Sequence, residues 1–173
     1  MLFKIIGVII VISSSSYIGF LIADYYRDRP KQLKSLQMSL QMLETEILYL
    51  STPLPEALKT ISEKCDKKIN LLFKMTADIL DKQQGYTAGE CWEKAVNKYY
   101  KNSALNTSDK KILLSLGHYL GETDKENQLK KIKFTLSELK KQEEEAEEIR
   151  RKNEKIWRYI GVLTGISIVL IIF

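Results

Sequence analysis

The sequence predicts an all-α protein: a cytoplasmic helical bundle of about six helices between two transmembrane helices, the long C-terminal helix of the bundle entering the membrane. Three observations predict it. Of the 49 charged side chains, 48 lie between residues 24 and 158, so two uncharged ends flank a middle that is about 36% charged, where ~25% is usual. Only three prolines and eight glycines interrupt 173 residues. Apolar residues in the middle recur at helical spacing, and strand-like alternation is scarce. The bland averages, a mean hydropathy of −0.20 and a net charge of +5, are sums over these unlike regions.

Residues 1–23 form the first anchor. Positions 5–23 carry no charge, and at ~1.5 Å per residue they span close to the ~30 Å of a bilayer core. The run is long for a signal sequence, and no small-x-small cleavage site precedes Asp24. At the other end, residues 157–173 are read as the second spanning helix. The uncharged run from Tyr159 gives only ~22 Å of helix, but Trp157 and Tyr159 suit the interface and Arg158 can snorkel to the headgroups. Lys and Arg crowd the inner flanks of both segments: Arg27, Arg29, Lys31 and Lys34 after the first, Arg150, Arg151, Lys152, Lys155 and Arg158 before the second. The positive-inside rule therefore places the middle in the cytoplasm and both termini outside. Gly161 and Gly165, like Ser15 and Gly19, stand four residues apart, a spacing that lets two helix backbones approach in lipid. These four are the expected packing residues of the membrane helices, and a homo-oligomer is compatible with them.

Residues 24–139 read as the cytoplasmic bundle. Leu33, Leu36, Leu40, Leu43, Ile47 and Leu50 form one stripe, with Met38 and Met42 alongside. Thr52, Pro53, Leu54 and Pro55 stop that helix, since a residue before proline leaves the helical region, and Pro55 suits the first turn of the next. Leu58, Ile61 and Cys65 share a face; Leu71, Leu72, Phe73, Met75, Ile79 and Leu80 continue to a turn at Gly85 and Tyr86. Thr87 and Glu90 make a capping box opening a helix with Trp92, Ala95, Val96 and Tyr99. Ser108 or Asp109 is expected to cap a helix carrying Ile112, Leu113, Leu116 and Leu120, ended by Gly121. Thr123 and Glu126 form a second capping box before the last helix, with Leu129, Ile132, Leu136 and Leu139. Residues 140–156 read as a charged stalk, its Glu and Lys or Arg four residues apart in pairs worth ~0.2–0.5 kcal/mol each.

No catalytic constellation is visible. His118, the single histidine, stands without Cys or carboxylate at ligand spacing, and no phosphate-binding Gly-rich loop, His-Glu-x-x-His or Gly-x-Ser-x-Gly occurs. The expectation is no enzyme, no cofactor and no metal site. Cys65 and Cys91 are expected to be small buried hydrophobes in a reducing compartment. The near-balanced charge of the middle argues against nucleic acid as a partner.

The blocks Arg29-Pro30-Lys31-Gln32-Leu33, Glu46-Ile47-Leu48-Tyr49, Pro53-Leu54-Pro55-Glu56-Ala57-Leu58, Trp92-Glu93, Leu120-Gly121-Glu122-Thr123-Asp124 with Gln128, and Leu163-Thr164-Gly165 stand in order along the chain. Together they resemble the stage III sporulation protein AB family of endospore-forming bacteria. The resemblance implies a mother-cell membrane component of the channel linking mother cell and forespore, similar to the cytoplasmic domains of type II secretion inner-membrane platform proteins. The implied partners are the lipid bilayer, a secretion-type sporulation ATPase and the other stage III sporulation channel proteins. Thr52, Pro53, Leu54 and Pro55, with Leu120, Gly121, Thr123, Asp124 and Gln128, are the candidate structural corner and contact surface for such a partner. The rival reading is a membrane-tethered helical signalling relay, which the short extracytoplasmic ends disfavour.

Overall fold

The computed structural model describes residues 2–50, 52–82, 85–121 and 124–172. Among them are six α-helices and no strand: α1 (Leu2–Thr45), α2 (Leu54–Lys64), α3 (Lys67–Asp81), α4 (Ala88–Tyr100), α5 (Thr107–Gly117) and α6 (Lys125–Ile172), with a π-helical turn at Glu46–Leu50. Six is thus the total among the described residues, against an expectation of about six within the bundle alone plus two spanning helices. The difference arises because the first and last helices each run without a break from an apolar end into the charged middle. α1 continues through Pro30, although that residue has no amide hydrogen for the helical ladder. α6 meets neither proline nor glycine until Gly161, so nothing breaks its 48 residues before the apolar end. Among the described residues, α1 is the one helix long and apolar enough to cross a membrane.

The chain divides into two compact units, one from the first 30 residues with residues 144–173, the other Lys31–Glu143. The second is the helical body. Its core is built on the predicted leucine stripe: Leu33, Leu36, Leu40 and Leu43 of α1 are completely buried and Ile47 nearly so. Buried with them are Leu58 and Ile61 of α2, Ile69, Leu72 and Phe73 of α3, Trp92 and Val96 of α4, Leu113 and Leu116 of α5, and Ile132 and Leu139 of α6. α2, α3, α4 and α5 follow one another as a chain of packed neighbours. The stripe fails at its last member, Leu50, which is 63% exposed. The π-helical turn adds a residue per turn there and rotates Leu50 away from the face that Ile47 buries.

Caps set most of the helix starts. Thr87 Oγ1 accepts from the Glu90 amide at 3.2 Å while the Glu90 carboxylate accepts from the Thr87 amide at 2.8 Å, the expected capping box. Asp66 starts α3 by accepting from the Lys68 amide at 2.8 Å. α5 is capped not by Ser108 or Asp109 but by Asn106, whose Oδ1 accepts from the Asp109 amide at 2.8 Å. Asp109 returns the bond to the Asn106 amide at 2.9 Å, so it is the third residue of the helix and is fully buried. α5 also ends earlier than expected, at Gly117, and residues 118–121 are turn. His118 accordingly follows the helix as its C-cap instead of lying within it. For α6, Thr123 lies outside the described residues; the amides of Glu126 and Asn127 are taken by Asp124 Oδ1 at 3.0 and 3.4 Å. Cys91 is buried as expected, whereas Cys65 is only half-buried because it terminates α2.

Close backbone approach joins α4 to α5. A β-carbon added at Gly89 would collide with the Gly117 carbonyl, and one added at Gly117 would stand 2.9 Å from Trp92 Cδ1. Trp92 sits against α5, its Nε1 donating to the Leu113 carbonyl at 2.6 Å. At the other end of the body, Gln32 of α1 holds the loop after α4: its Oε1 accepts from the Ala104 amide at 3.0 Å and from the Tyr99 hydroxyl at 3.4 Å.

In the first unit, α1 and α6 lie side by side through their apolar halves. Ser15 Oγ donates to the Gly161 carbonyl at 2.7 Å. A β-carbon at Gly19 would fall 2.8 Å from the Trp157 carbonyl oxygen and 2.9 Å from Gly161 Cα, so the backbones meet there without side chains between them. Gly165 packs likewise against Ile12 and Ser15. Further along α6, Arg150 bridges Glu147 at 2.6 Å and Glu154 at 2.8 Å, Arg151 reaches Glu147, Lys152 reaches Glu148, and Arg158 reaches Glu154. Arg150, Arg151, Lys152 and Arg158 are thus each paired along their own helix.

Candidate functional site

The two predicted corners are one place. Leu54 Cδ2 and Ala88 Cβ are the atoms nearest the position a β-carbon would take on Gly121, at 3.8 and 2.8 Å. The start of α2, the start of α4 and the turn after α5 therefore converge at a single end of the body. Each has a local reason to be there. The Thr52 hydroxyl donates to the Glu46 carboxylate at 2.8 Å and its amide to the Glu46 carbonyl at 3.2 Å, closing the π-helical turn. Pro53 is extended and offers its carbonyl to the Ala57 amide at 3.0 Å; Pro55 occupies the first turn, where its missing amide hydrogen costs nothing. Leu120 is buried, and Gly121 follows it at φ +82°, a conformation that side chains with a β-carbon rarely adopt. Asp124 is exposed and caps α6, and Gln128 is buried one turn on. Thr123 lies outside the described residues.

Because of both the positive φ and the contact with Ala88, Gly121→Val should lower the stability of the body by about 1–3 kcal/mol. Thermal unfolding of the full chain in detergent measures it; an unchanged midpoint would show that the turn is not held by these constraints.

Beside this corner the π-helical turn exposes three large apolar side chains in a row, Leu48, Tyr49 and Leu50, the last two 76% and 63% exposed. Tyr86 is exposed as well, with Lys94 Nζ 3.0 Å from its ring centroid. A cleft of about 350 Å³ opens between the start of α4 and the end of α5, lined by Thr87, Glu90, Glu93, Leu114, His118 and Leu120. One of its carboxylates has structural work: Glu90 is held below the usual carboxylate range by the Thr87 amide and hydroxyl that it accepts from. Burial pushes the Cys91 and Cys65 thiols and the Tyr99 hydroxyl up, so none is poised as a nucleophile at neutral pH. Among the described residues no three His, Cys, Asp or Glu side chains are placed to hold a metal ion. The arrangement offers an apolar ridge and a polar cleft rimmed by carboxylates.

The sequence points to the corner residues, but it puts Leu50 at the end of a buried stripe, gives Leu48 and Tyr49 no exposed role, and does not announce the Gly89–Gly117 approach that shapes the cleft. The alternation of leucine with the helical period gave no warning of the π-helical turn, which is set by the Thr52 contacts to Glu46.

The family model described as stage III sporulation protein AB matches residues 4–173. The chain belongs to the stage III sporulation protein AB family. The stage III sporulation protein AB of Bacillus subtilis (strain 168) is 33% identical over 169 residues, covering 98% of both chains. A solved structure of a stage III sporulation protein AB superposes with a TM-score of 0.67 at 34% identity, covering 72% of this chain and 97% of that one. The motif blocks beginning at Arg29 and ending at Gly165 thus lie within a family match that takes in both apolar ends as well as the body of this stage III sporulation protein AB family member.

Proposed function

We propose that this family member is a non-enzymatic platform of the sporulation channel between mother cell and forespore, fixed in the mother-cell membrane by α1 and α6 and docking a cytoplasmic secretion-type ATPase. The observation that carries the reading is the side-by-side packing of the apolar halves of α1 and α6, which closes the polar middle of the chain into a loop tethered at both ends. In lipid such a contact is favoured because bare backbones approach closely and the Ser15 hydroxyl finds an acceptor. On this reading both helices span, both termini are extracytoplasmic and the body is cytoplasmic. Leu48, Tyr49 and Leu50, with the neighbouring corner at Thr52, Pro53, Leu54, Pro55, Leu120, Gly121, Asp124 and Gln128, form the surface offered to the ATPase or to a channel subunit. An exposed apolar ridge is costly unless a partner covers it.

Purification of the detergent-solubilised protein from sporulating cells tests the proposal. The secretion-type ATPase should co-purify, and Tyr49→Asp with Leu50→Asp should release it while leaving the thermal midpoint unchanged. Recovery of a sensor kinase or response regulator without the ATPase would establish the signalling relay instead. Topology has its own readout: a reporter active only outside the cytoplasm, fused after residue 173, should be active, and silence would overturn the double span.

A further inference from the structure

The consecutive serines of α1 are not equivalent. Ser15 donates to the Gly161 carbonyl, and further along the same helix Ser39 and Thr45 donate to their own helix four residues back. Ser13 and Ser14 of α1, and Thr164 of α6, are exposed and make no hydrogen bond among the described residues. Ser14 and Thr164 stand on the two walls of one groove of about 530 Å³, which Val11, Ile18, Trp157 and Ile160 also line. They are at one level, because Gly165, next to Thr164, packs against Ile12 and Ser15. Ser13 lies on a different face of α1. Exposed Ile6, Ile9 and Tyr17 share that face, at steps of three, four and four residues along the helix, so the four form one ridge.

We propose that this groove receives the Ile9, Ser13 and Tyr17 ridge of a second copy of the chain, within the membrane. This rests on the reading that both apolar halves span the bilayer. Position 14 is the midpoint of the uncharged run 5–23, and acyl chains at that depth hold neither donor nor acceptor. An acyl chain would fill the groove but leave both hydroxyls unpaired, whereas a helix bringing a hydroxyl to their level pairs them. Register identifies the helix. Every copy enters the bilayer in one direction and to one depth, so a residue meets in its neighbour only residues of its own level. Ser13 is a single residue, or about 1.5 Å of helix, from Ser14, and a neighbouring copy delivers it to the groove without sliding. The same contact covers the exposed ridge. Ridge and groove are different faces, so the contact is heterologous, and copies related by rotation about the bilayer normal fill one another's grooves around a ring.

Cross-linking between differently tagged copies of the full chain tests this in membranes. With Cys65 and Cys91 replaced by serine, one copy carries Tyr17→Cys on the ridge and the other Ile160→Cys in the groove. The contact of Gly19 with Gly161 puts these two positions near one level, and the pair leaves all three hydroxyls in place. Mild oxidation should give a disulfide-linked dimer bearing both tags, whereas two copies with Tyr17→Cys should not link to each other. A hydroxyl bond between helices in lipid is worth about a threefold factor. Ser14→Ala with Thr164→Val in the groove copy should therefore slow linking about ninefold, while the thermal midpoint stays put. Absence of the mixed dimer, with the groove left to an acyl chain or to another protein's helix, would overturn the proposal. So would links between two ridges, or a rate untouched by the double change. Failure of the spanning reading is separately visible, as labelling of Tyr17→Cys in intact membranes by a membrane-impermeant thiol reagent, and would remove the proposal with it.

Discussion

Trp92→Ala should lower the stability of the helical body by about 3–5 kcal/mol, a large part of the ~5–15 kcal/mol that holds a typical domain together. Trp92 is fully buried, packs edge-on against Phe73 with ring centroids 5.7 Å apart, and faces Gly117 of α5 at van der Waals distance. Three helices therefore lose their common contact when the indole goes. The cavity cannot collapse easily, because α4 and α5 already touch backbone to backbone at Gly89 and Gly117. Trp92→Phe should retain more than half of the stability lost in the alanine variant: it keeps most of the apolar volume and loses the bond from Nε1 to the Leu113 carbonyl, an interaction worth about 1 kcal/mol. Chemical unfolding of the full chain in detergent, followed by far-ultraviolet circular dichroism, measures both variants without using the tryptophan as probe. Equal losses would mean that the hydrogen bond, and not the packing, is what Trp92 supplies.

That core was legible where a side-chain pattern dictates it. Leucines at helical period have one face to bury, so the α1 stripe from Leu33 to Leu43 could be read directly. Thr87 with Glu90 was legible because two side chains three apart satisfy each other's amides in only one arrangement. The start of α5 was harder: residues 106–109 offer four polar side chains in succession, and only the reciprocal bonds between Asn106 and Asp109 select among them. The break between α2 and α3 is announced by neither glycine nor proline; Asp66 makes it with one cap bond. Least legible were the features that depend on backbone geometry across the fold. The exposure of Leu50 follows from an extra residue in one turn, and the meeting of Gly89 with Gly117 from helix positions 28 residues apart.

The same dependence on bare backbone makes the apolar pair of helices the most sensitive part of the first unit. On the proposed reading that both apolar halves span the bilayer, Gly19→Leu should separate α1 from α6 there. Even the first added carbon would stand 2.8 Å from the Trp157 carbonyl and 2.9 Å from Gly161 Cα, and these are backbone atoms that cannot swing aside as a flexible side chain could. Nothing compensates in lipid, because the acyl chains are as apolar as the added leucine and the driving force for pairing is packing and the bond from Ser15 to the Gly161 carbonyl. Cross-linking reads this directly. With Cys65 and Cys91 replaced by serine, Ser15→Cys and Gly165→Cys would place two β-carbons about 3.3 Å apart, a few tenths of an ångström from the 3.5–4.5 Å of an ordinary disulfide, and, the Ser15 hydroxyl being gone, would leave packing to hold the helices together. The pair should form a bond rapidly on mild oxidation in membranes, and adding Gly19→Leu should reduce its yield at least tenfold, the effect of losing about 1.4 kcal/mol of pairing. Undiminished cross-linking in the Gly19→Leu background would show that the helices are held together by the body alone and that the small-residue contact carries none of the association.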